Sequence, residues 1–249
     1  MTIPLKSAEE LAAMRVSCRM TAEVLAAVAA AVAPGVTTGE LDQLARRLIE
    51  ERKAKPSFLG YRKYPAAMCI SINDEVIHGI PGRRVVQPGD VVSLDVGVYK
   101  DGFHGDCATT VMVGVTDPDV IRLVETTRRA LAAAVAAAKP GVRLSDVSHA
   151  VQSTVEASGC SVVREFVGHG VGRHLHEDPQ VPNYGRPGCG PVLKPGMTLA
   201  IEPMVNLGKG GVCVLDDGWT VVTKDGKPSA HFEHTVAVLE ESLEVLTLA

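Results

Sequence analysis

A turn signal followed by an apolar, acid-ended run occurs twice in these 249 residues, at almost the same interval each time. Pro88-Gly89-Asp90 leads into Val91-Val92-Ser93-Leu94-Asp95, and Pro195-Gly196-Met197 leads into Thr198-Leu199-Ala200-Ile201-Glu202. Upstream, Pro34-Gly35-Val36 recurs as Pro140-Gly141-Val142. The offsets are 106 and 107 residues, and His78-Gly79-Ile80 matches His169-Gly170-Val171 at an offset of 91. One Pro-Gly match is chance turn chemistry. Several in the same order at nearly equal spacing indicate an internal duplication. Asp95 and Glu202 then occupy equivalent places, each at the end of an apolar strand.

Hydrophobic periodicity agrees with two halves, approximately 1–115 and 116–249. Ser7-x-x-Glu10 is a capping box that opens a helix with Leu11, Met14, Cys18, Leu25, Val28 and Val32 on one face, stopping at Pro34-Gly35. A second helix is expected over about 38–53, with Leu41, Leu44, Leu48 and Ile49 as its stripe. The period then shortens to strands at Met68–Ile72, Val91–Tyr99 and Ala108–Val115. Asp117-Pro118 starts another helix at about 119–138, a shorter one follows at about 145–158, and strands resume from Ser161. Helices, strands, helices, strands: the fold class is α+β, expected as a single domain over 1–249.

Composition narrows the function. With 46% hydrophobic and 22% charged residues, the chain can bury a core without staples. Its basic residues are scattered pairs such as Arg46-Arg47, Arg83-Arg84 and Arg128-Arg129 on a net charge of −4, so neither nucleic acid nor a membrane surface is an expected partner. Six cysteines, widely spaced and without a C-x-x-C pair, point to a reducing cytoplasm. The most apolar stretch, Val24–Val36, is too short to span a bilayer.

Asp95 and Glu202 sit in otherwise apolar runs, where an ionised carboxylate is costly unless paired or metal-bound. Asp106 is expected at the start of a third strand, and Glu233 opens a fourth. Gly168-His169-Gly170-Val171-Gly172-Arg173-His174-Leu175-His176 adds three histidines among glycines. Asp106 or Glu233 alone reads as a solvated strand end and a lone histidine as a hydrogen-bonded structural residue, but Asp95 and Glu202, flanked by apolar residues, do not fit that reading. Together they read as a metal site too oxygen-rich for structural zinc and suited to a two-metal hydrolase. Cobalt, manganese, iron or zinc could each fill it.

The spacing of Asp95, Asp106, His169, Glu202 and Glu233 resembles the five metal ligands of type I methionine aminopeptidases, in peptidase family M24. The flanking runs carry the resemblance: Ser71-Ile-Asn-Asp-Glu-Val-Ile-His78-Gly-Ile-Pro81, Gly102-Phe-His-Gly-Asp106, His169-Gly-Val-Gly-Arg-His-Leu-His176 and Lys194-Pro-Gly-Met-Thr-Leu-Ala-Ile-Glu202-Pro-Met204. It covers essentially the whole chain. It implies the pita-bread (creatinase/aminopeptidase) fold, two pseudo-symmetric halves with an antiparallel-type sheet around a dinuclear site and helices outside.

By that resemblance two divalent ions are bound. Asp95 would chelate one, Asp106 and Glu233 would bridge both, and His169 and Glu202 would complete the other. The implied reaction is removal of initiator methionine from nascent polypeptides with a small second residue, by a metal-bridging hydroxide. Glu202 would shuttle the proton, while His78 and His176 contact the scissile amide and its oxyanion. Tyr61, Tyr64, Cys69, Leu175 and Trp219 would line the methionine pocket, with Phe58 at its rim. Phe103 and Phe166 are expected to fill core. A monomer in transient contact with the ribosome is the expected assembly.

Two positions depart from the family pattern. Gly97 and Cys107 stand where a hydroxyl residue is common, which bears on metal preference through the surroundings of the ligands. The rival readings are a prolidase or aminopeptidase P, and a non-catalytic pita-bread module that has lost its ligands. Here all five ligand positions are intact.

Overall fold

Helices begin where the sequence supplies a cap. In the computed structural model, which describes residues 2–249, the Ser7 and Glu10 side chains each accept from the other's backbone N–H, at 3.2 and 2.8 Å, and α1 runs Ala8–Ala31. Thr37 and Glu40 repeat the device for α2, Thr38–Glu51. Asp117 caps α3, Pro118–Ala137, with proline in its first turn, where no N–H partner is needed. The fourth, α4, spans Leu144–Glu156.

Five strands follow the first helix pair: β1 (Lys55–Pro56), β2 (Met68–Ile72), β3 (Glu75–Ile77), β4 (Val91–Lys100) and β5 (Phe103–Met112). After α3 and α4 come β6 (Ser161–Val162), β7 (Gly168–Gly170), β8 (Glu177–Val181), β9 (Thr198–Ile201) and β10 (Met204–Asn206). The last five are β11 (Val212–Val214), β12 (Val221–Thr223), β13 (Ser229–His231), β14 (Glu233–Val238) and β15 (Leu243–Val245).

The main sheet is antiparallel, in the order β1-β4-β5-β14-β9-β7-β8, with β2 on β4 and β15 on β14. Strands from the two halves meet at β5 and β14. Two three-stranded sheets, β13-β10-β6 and β11-β12-β3, complete the β structure. Leu25, Val28, Leu41 and Ile49 of α1 and α2 pack on Ile70, Val92, Leu94 and Val96; Leu123, Leu131, Leu144 and Val151 of α3 and α4 pack on Leu199, Ile201 and Val236.

The repeated turns carry the same hydrogen bonds. Gly35 N–H donates to Val86 O and Gly141 N–H to Leu193 O, both at 2.9 Å, and Thr37–Val85 and Arg143–Val192 form equivalent single bridges. Both glycines have positive φ, +93° and +88°, which glycine adopts without steric cost.

One boundary differs from expectation. The third strand begins at Phe103, not Ala108, so Asp106 lies within β5 and not at its start. The reason is the Asp101-Gly102 turn, in which both residues have positive φ (+49° and +92°), the backbone of a tight two-residue hairpin. That turn locks β4 to β5 from Lys100–Phe103 onward. Among the described residues no helix is long and apolar enough to cross a membrane.

Candidate metal centre

Strand alternation brings the acids onto one face. In the antiparallel register Asp106 pairs with Gly97, while Asp95 and Glu233 both pair with Ala108. Asp106 is further fixed by Thr235, whose hydroxyl donates to Asp106 O (2.7 Å) and accepts from its N–H (3.2 Å). His169 on β7 pairs with Ala200, and Glu202 directly follows β9, its carbonyl accepting from Asn183 Nδ2 at 3.0 Å.

Asp106, His169 and Glu233 are buried, and one donor atom from each lies within 4.8 Å of the others. His169 Nε2 is 4.0 Å from Asp106 Oδ2 and 3.6 Å from Glu202 Oε1. Asp95 and Glu202 border the same cleft. Burial drives all four carboxyls above the usual range, reinforced by mutual repulsion: Asp95 and Glu202 press on Asp106, and Asp106 on Glu233. The His231 and His169 imidazoles partly offset this for Asp95 and Glu202 respectively.

These donors fit divalent cations. Asp95 Oδ1, Asp106 Oδ1 and Glu233 Oε1 are buried without a hydrogen-bond partner. His169 Nδ1 is 2.8 Å from Gly170 O, a carbonyl that only accepts, so the ring proton sits on Nδ1. Nε2 is therefore the ring nitrogen turned toward the carboxylate oxygens, where it would meet a cation held between them.

The centre opens into a cleft of about 290 Å³ bordered by every sequence-predicted site residue. His176 stacks on Tyr61 (5.2 Å, 16°) and lies 4.1 Å from the His169 ring. His78 meets Trp219 and Phe166 edge-on at 6.1 and 5.8 Å, its own φ of +60° placing it in the left-handed region. Burial holds the His78 imidazole down to about 4, and burial with the His169 ring beside it holds His176 down to about 3. Both are neutral at physiological pH.

Tyr64 donates to Gly79 O at 2.9 Å and meets Trp219 edge-on at 5.0 Å. Cys69 pairs with Asp95 across β2 and β4, so the apolar pocket directly adjoins the acids. Tyr64, Cys69, Leu175 and Phe58 are buried together, with Tyr61 and Trp219 packed on them.

One aromatic expectation needs correction, that for Phe166. Phe58, expected at the rim, borders the cleft and is buried, glycine at 97 leaving room for its ring beside β4. Phe166 is not simply core; it lies against Val76 and Met204 but also borders the cleft. Phe103 does fill core, against Leu11 and Met14. Cys107 falls on the opposite face of β5 from Asp106 and packs under α1 and α2.

Sequence reading missed His231, whose ring is buried with Nε2 3.6 Å from Glu202 Oε2. The signal was present: His231 lies two residues before Glu233, the spacing that puts extended residues on one face.

A mixed sheet-and-helix fold carrying a buried carboxylate–histidine centre beside an apolar cleft defines a metallohydrolase of the pita-bread kind. Comparison with known proteins gives the family. The chain matches the model of metallopeptidase family M24 over residues 12–240. It is 51% identical over 242 residues to methionine aminopeptidase 1 of Bacillus subtilis, covering 97% of this chain and 98% of that protein. Against the methionine aminopeptidase of Escherichia coli K12 it is 47% identical over 250 residues, covering 100% and 95%. The crystal structure of methionine aminopeptidase from Thermotoga maritima superposes with a TM-score of 0.98 at 47% identity, covering all of both chains. A prolidase from Pyrococcus furiosus shares the fold at a TM-score of 0.79 and 22% identity, this chain covering 65% of its length. The chain belongs to metallopeptidase family M24 and, within it, to the methionine aminopeptidases.

Proposed function

We propose that this chain removes N-terminal methionine from polypeptides whose second residue is small, as one catalytic domain over 1–249 holding two divalent ions. The observation that carries the reading is the juxtaposition of a buried, cation-deficient set of acids with an apolar pocket of aromatic and sulfur-bearing side chains. A flexible thioether suits such walls, at about 0.3–1.5 kcal/mol per sulfur–aromatic contact.

Asp95, Asp106, His169, Glu202 and Glu233 would hold the ions, with Asp106 and Glu233 central to both. Cobalt, manganese, iron and zinc all suit this donor set. When bound, the ions supply Lewis acidity, polarising the scissile carbonyl and making water acidic enough to attack at neutral pH. Glu202, buried with its carboxyl raised, takes a proton from the attacking water and returns one to the leaving amine. His176, neutral and held against Tyr61, donates to the developing oxyanion, and His78 faces the scissile amide from the Trp219 side. Tyr61, Tyr64, Cys69, Leu175, Trp219 and Phe58 enclose the methionine side chain. A monomer acting in the cytoplasm, in transient contact with ribosomes, fits six unpaired cysteines and an N-terminal substrate.

The test is hydrolysis of Met-Ala-Ser against an X-Pro dipeptide after chelation and return of single metals. Methionine release that disappears with chelator and returns with metal is expected. Glu202→Ala should lower kcat by about 10²–10⁴. Preference for the X-Pro bond, or undiminished turnover without metal, overturns the assignment.

A further inference from the structure

We propose that His231 is a positioning residue for Glu202: its Nε2–H tethers Glu202 Oε2 and leaves the other oxygen free for the metal centre and for proton transfer. The inference rests on the reading of the centre above and adds a residue outside its five expected ligands.

The two oxygens of Glu202 face two different imidazoles. Oε1 lies 3.6 Å from His169 Nε2 and Oε2 lies 3.6 Å from His231 Nε2. The rings are not equivalent. His169 engages Gly170 O through Nδ1, so its Nε2 is the nitrogen turned to the metal centre. His231 Nε2 is buried with no hydrogen-bond partner, and its ring side chain is only 2% exposed. A buried polar nitrogen left unpaired is destabilising. Asp95 acts on the ring electrostatically, but Glu202 Oε2 is the carboxylate oxygen within 4.0 Å of it, and closure by less than about 1 Å gives an ordinary N–H···O bond.

The backbone fixes the ring where it is needed. Residue 231 ends β13, pairs with Met204 in β10, and exchanges two hydrogen bonds with the Thr110 hydroxyl, N–H to Oγ1 at 3.0 Å and Oγ1 to the carbonyl at 2.7 Å. Thr110 belongs to β5, the strand of Asp106, and Met204 lies two residues past Glu202. One strand end is thus tied to the strand of Asp106 and to the strand that directly follows Glu202. A carboxylate free to rotate would share its oxygens at random between cation and solvent. One tethered by a fixed N–H presents a single oxygen to the centre.

The test compares His231→Gln, which keeps an N–H at similar reach, with His231→Leu, which removes it. Readouts are Mn²⁺ affinity by calorimetry, kcat and KM on Met-Ala-Ser, and melting temperature. The leucine variant should lose about 10–100-fold in ion affinity and in kcat with KM little changed, while the glutamine variant stays within about threefold of the parent. Long-range ¹H–¹⁵N spectra of the Zn²⁺-loaded protein should place the His231 proton on Nε2. A leucine variant equal to the parent, a folded glutamine variant as impaired as leucine, or a proton on Nδ1 overturns the role. Should the leucine variant fail to fold, the glutamine variant and the spectra decide. Ion binding and methionine release by the parent test the underlying reading separately.

Discussion

The residue that most distinguishes this pocket wall is one without a side chain. A Cβ on Gly97 would stand 2.8 Å from Phe58 Cε1 and 2.8 Å from Ser57 Cβ, closer than packed atoms tolerate. Glycine at 97 and phenylalanine at 58 are therefore one feature: the first removes bulk from β4 and the second fills the space. Gly97→Thr should destabilise the protein by an overpacking cost of about 1–3 kcal/mol and lower kcat/KM by pushing the Phe58 ring into the cleft. Combining it with Phe58→Ser should recover the part of the loss due to the ring, the Ser57 contact remaining. Urea denaturation of the four chains of the cycle checks this; a coupling energy below about 0.3 kcal/mol would separate the two residues. This pairing was invisible in the sequence, where glycine registered only as a missing hydroxyl. Asp95 and Glu202 were legible because a charge at the end of an apolar run demands a partner, whereas Asp106, His169 and Glu233 were legible only jointly and through the motif resemblance. Phe166 and His231 were not, because an aromatic or a lone histidine fits a core equally well until the sheet register is known.

At the scale of elements, the helices were legible from caps and prolines, and β5 was misplaced because the hairpin signal Asp101-Gly102 was passed over in favour of the apolar run that follows it. The segment carrying His169 and His176 depends on an element no pattern announced. The N-terminal segment ahead of α1 donates Lys6 N–H to Gly196 O at 2.7 Å, and the Lys6 ammonium pairs with Glu177, the first residue of β8. Both side chains are almost fully buried, and Glu177 also accepts from His174 N–H at 3.0 Å. Lys6→Ala strands a buried carboxylate at the end of the histidine loop, an effect of about 3–5 kcal/mol for a broken buried pair. Adding Glu177→Gln should return a large part of it. Chemical denaturation gives the energies, and hydrogen exchange over 172–177 should quicken in the single variant alone. Unchanged exchange there would show that the strap does not hold the loop.

For the whole molecule, the acids set how stability responds to pH. Their folded-state pKa values are raised, to about 7 for Asp95 and Glu202, so the metal-free protein has their full contribution below about pH 4 and loses it as pH rises through those values. His78 and His176 run the other way: depressed to about 4 and about 3, they contribute above about pH 6.5 and lose it only in acid. Between about pH 5.5 and 8 the carboxylates govern, and a divalent ion competes with the protons they would otherwise keep. The rise in melting temperature on adding Mn²⁺ should therefore grow across that range, each tenfold gain in apparent affinity adding about 1.4 kcal/mol at saturating ion. A metal-induced shift independent of pH would mean that these acids do not bind the ion. The sheet order has a temporal consequence as well. β14 sits between β5 and β9 and carries Glu233, yet it is nearly the last strand in the chain. A polypeptide emerging N-terminus first can form the α1, α2, β4 and β5 half early, and β12 can pair with β3, but the main sheet is not joined across the two halves, and the proposed ligand set is not complete, until β14 arrives. If Glu233 holds the ions as proposed, catalytic competence is acquired in one late event of synthesis, and a chain cut short before residue 233 should be inactive however well its first half has folded.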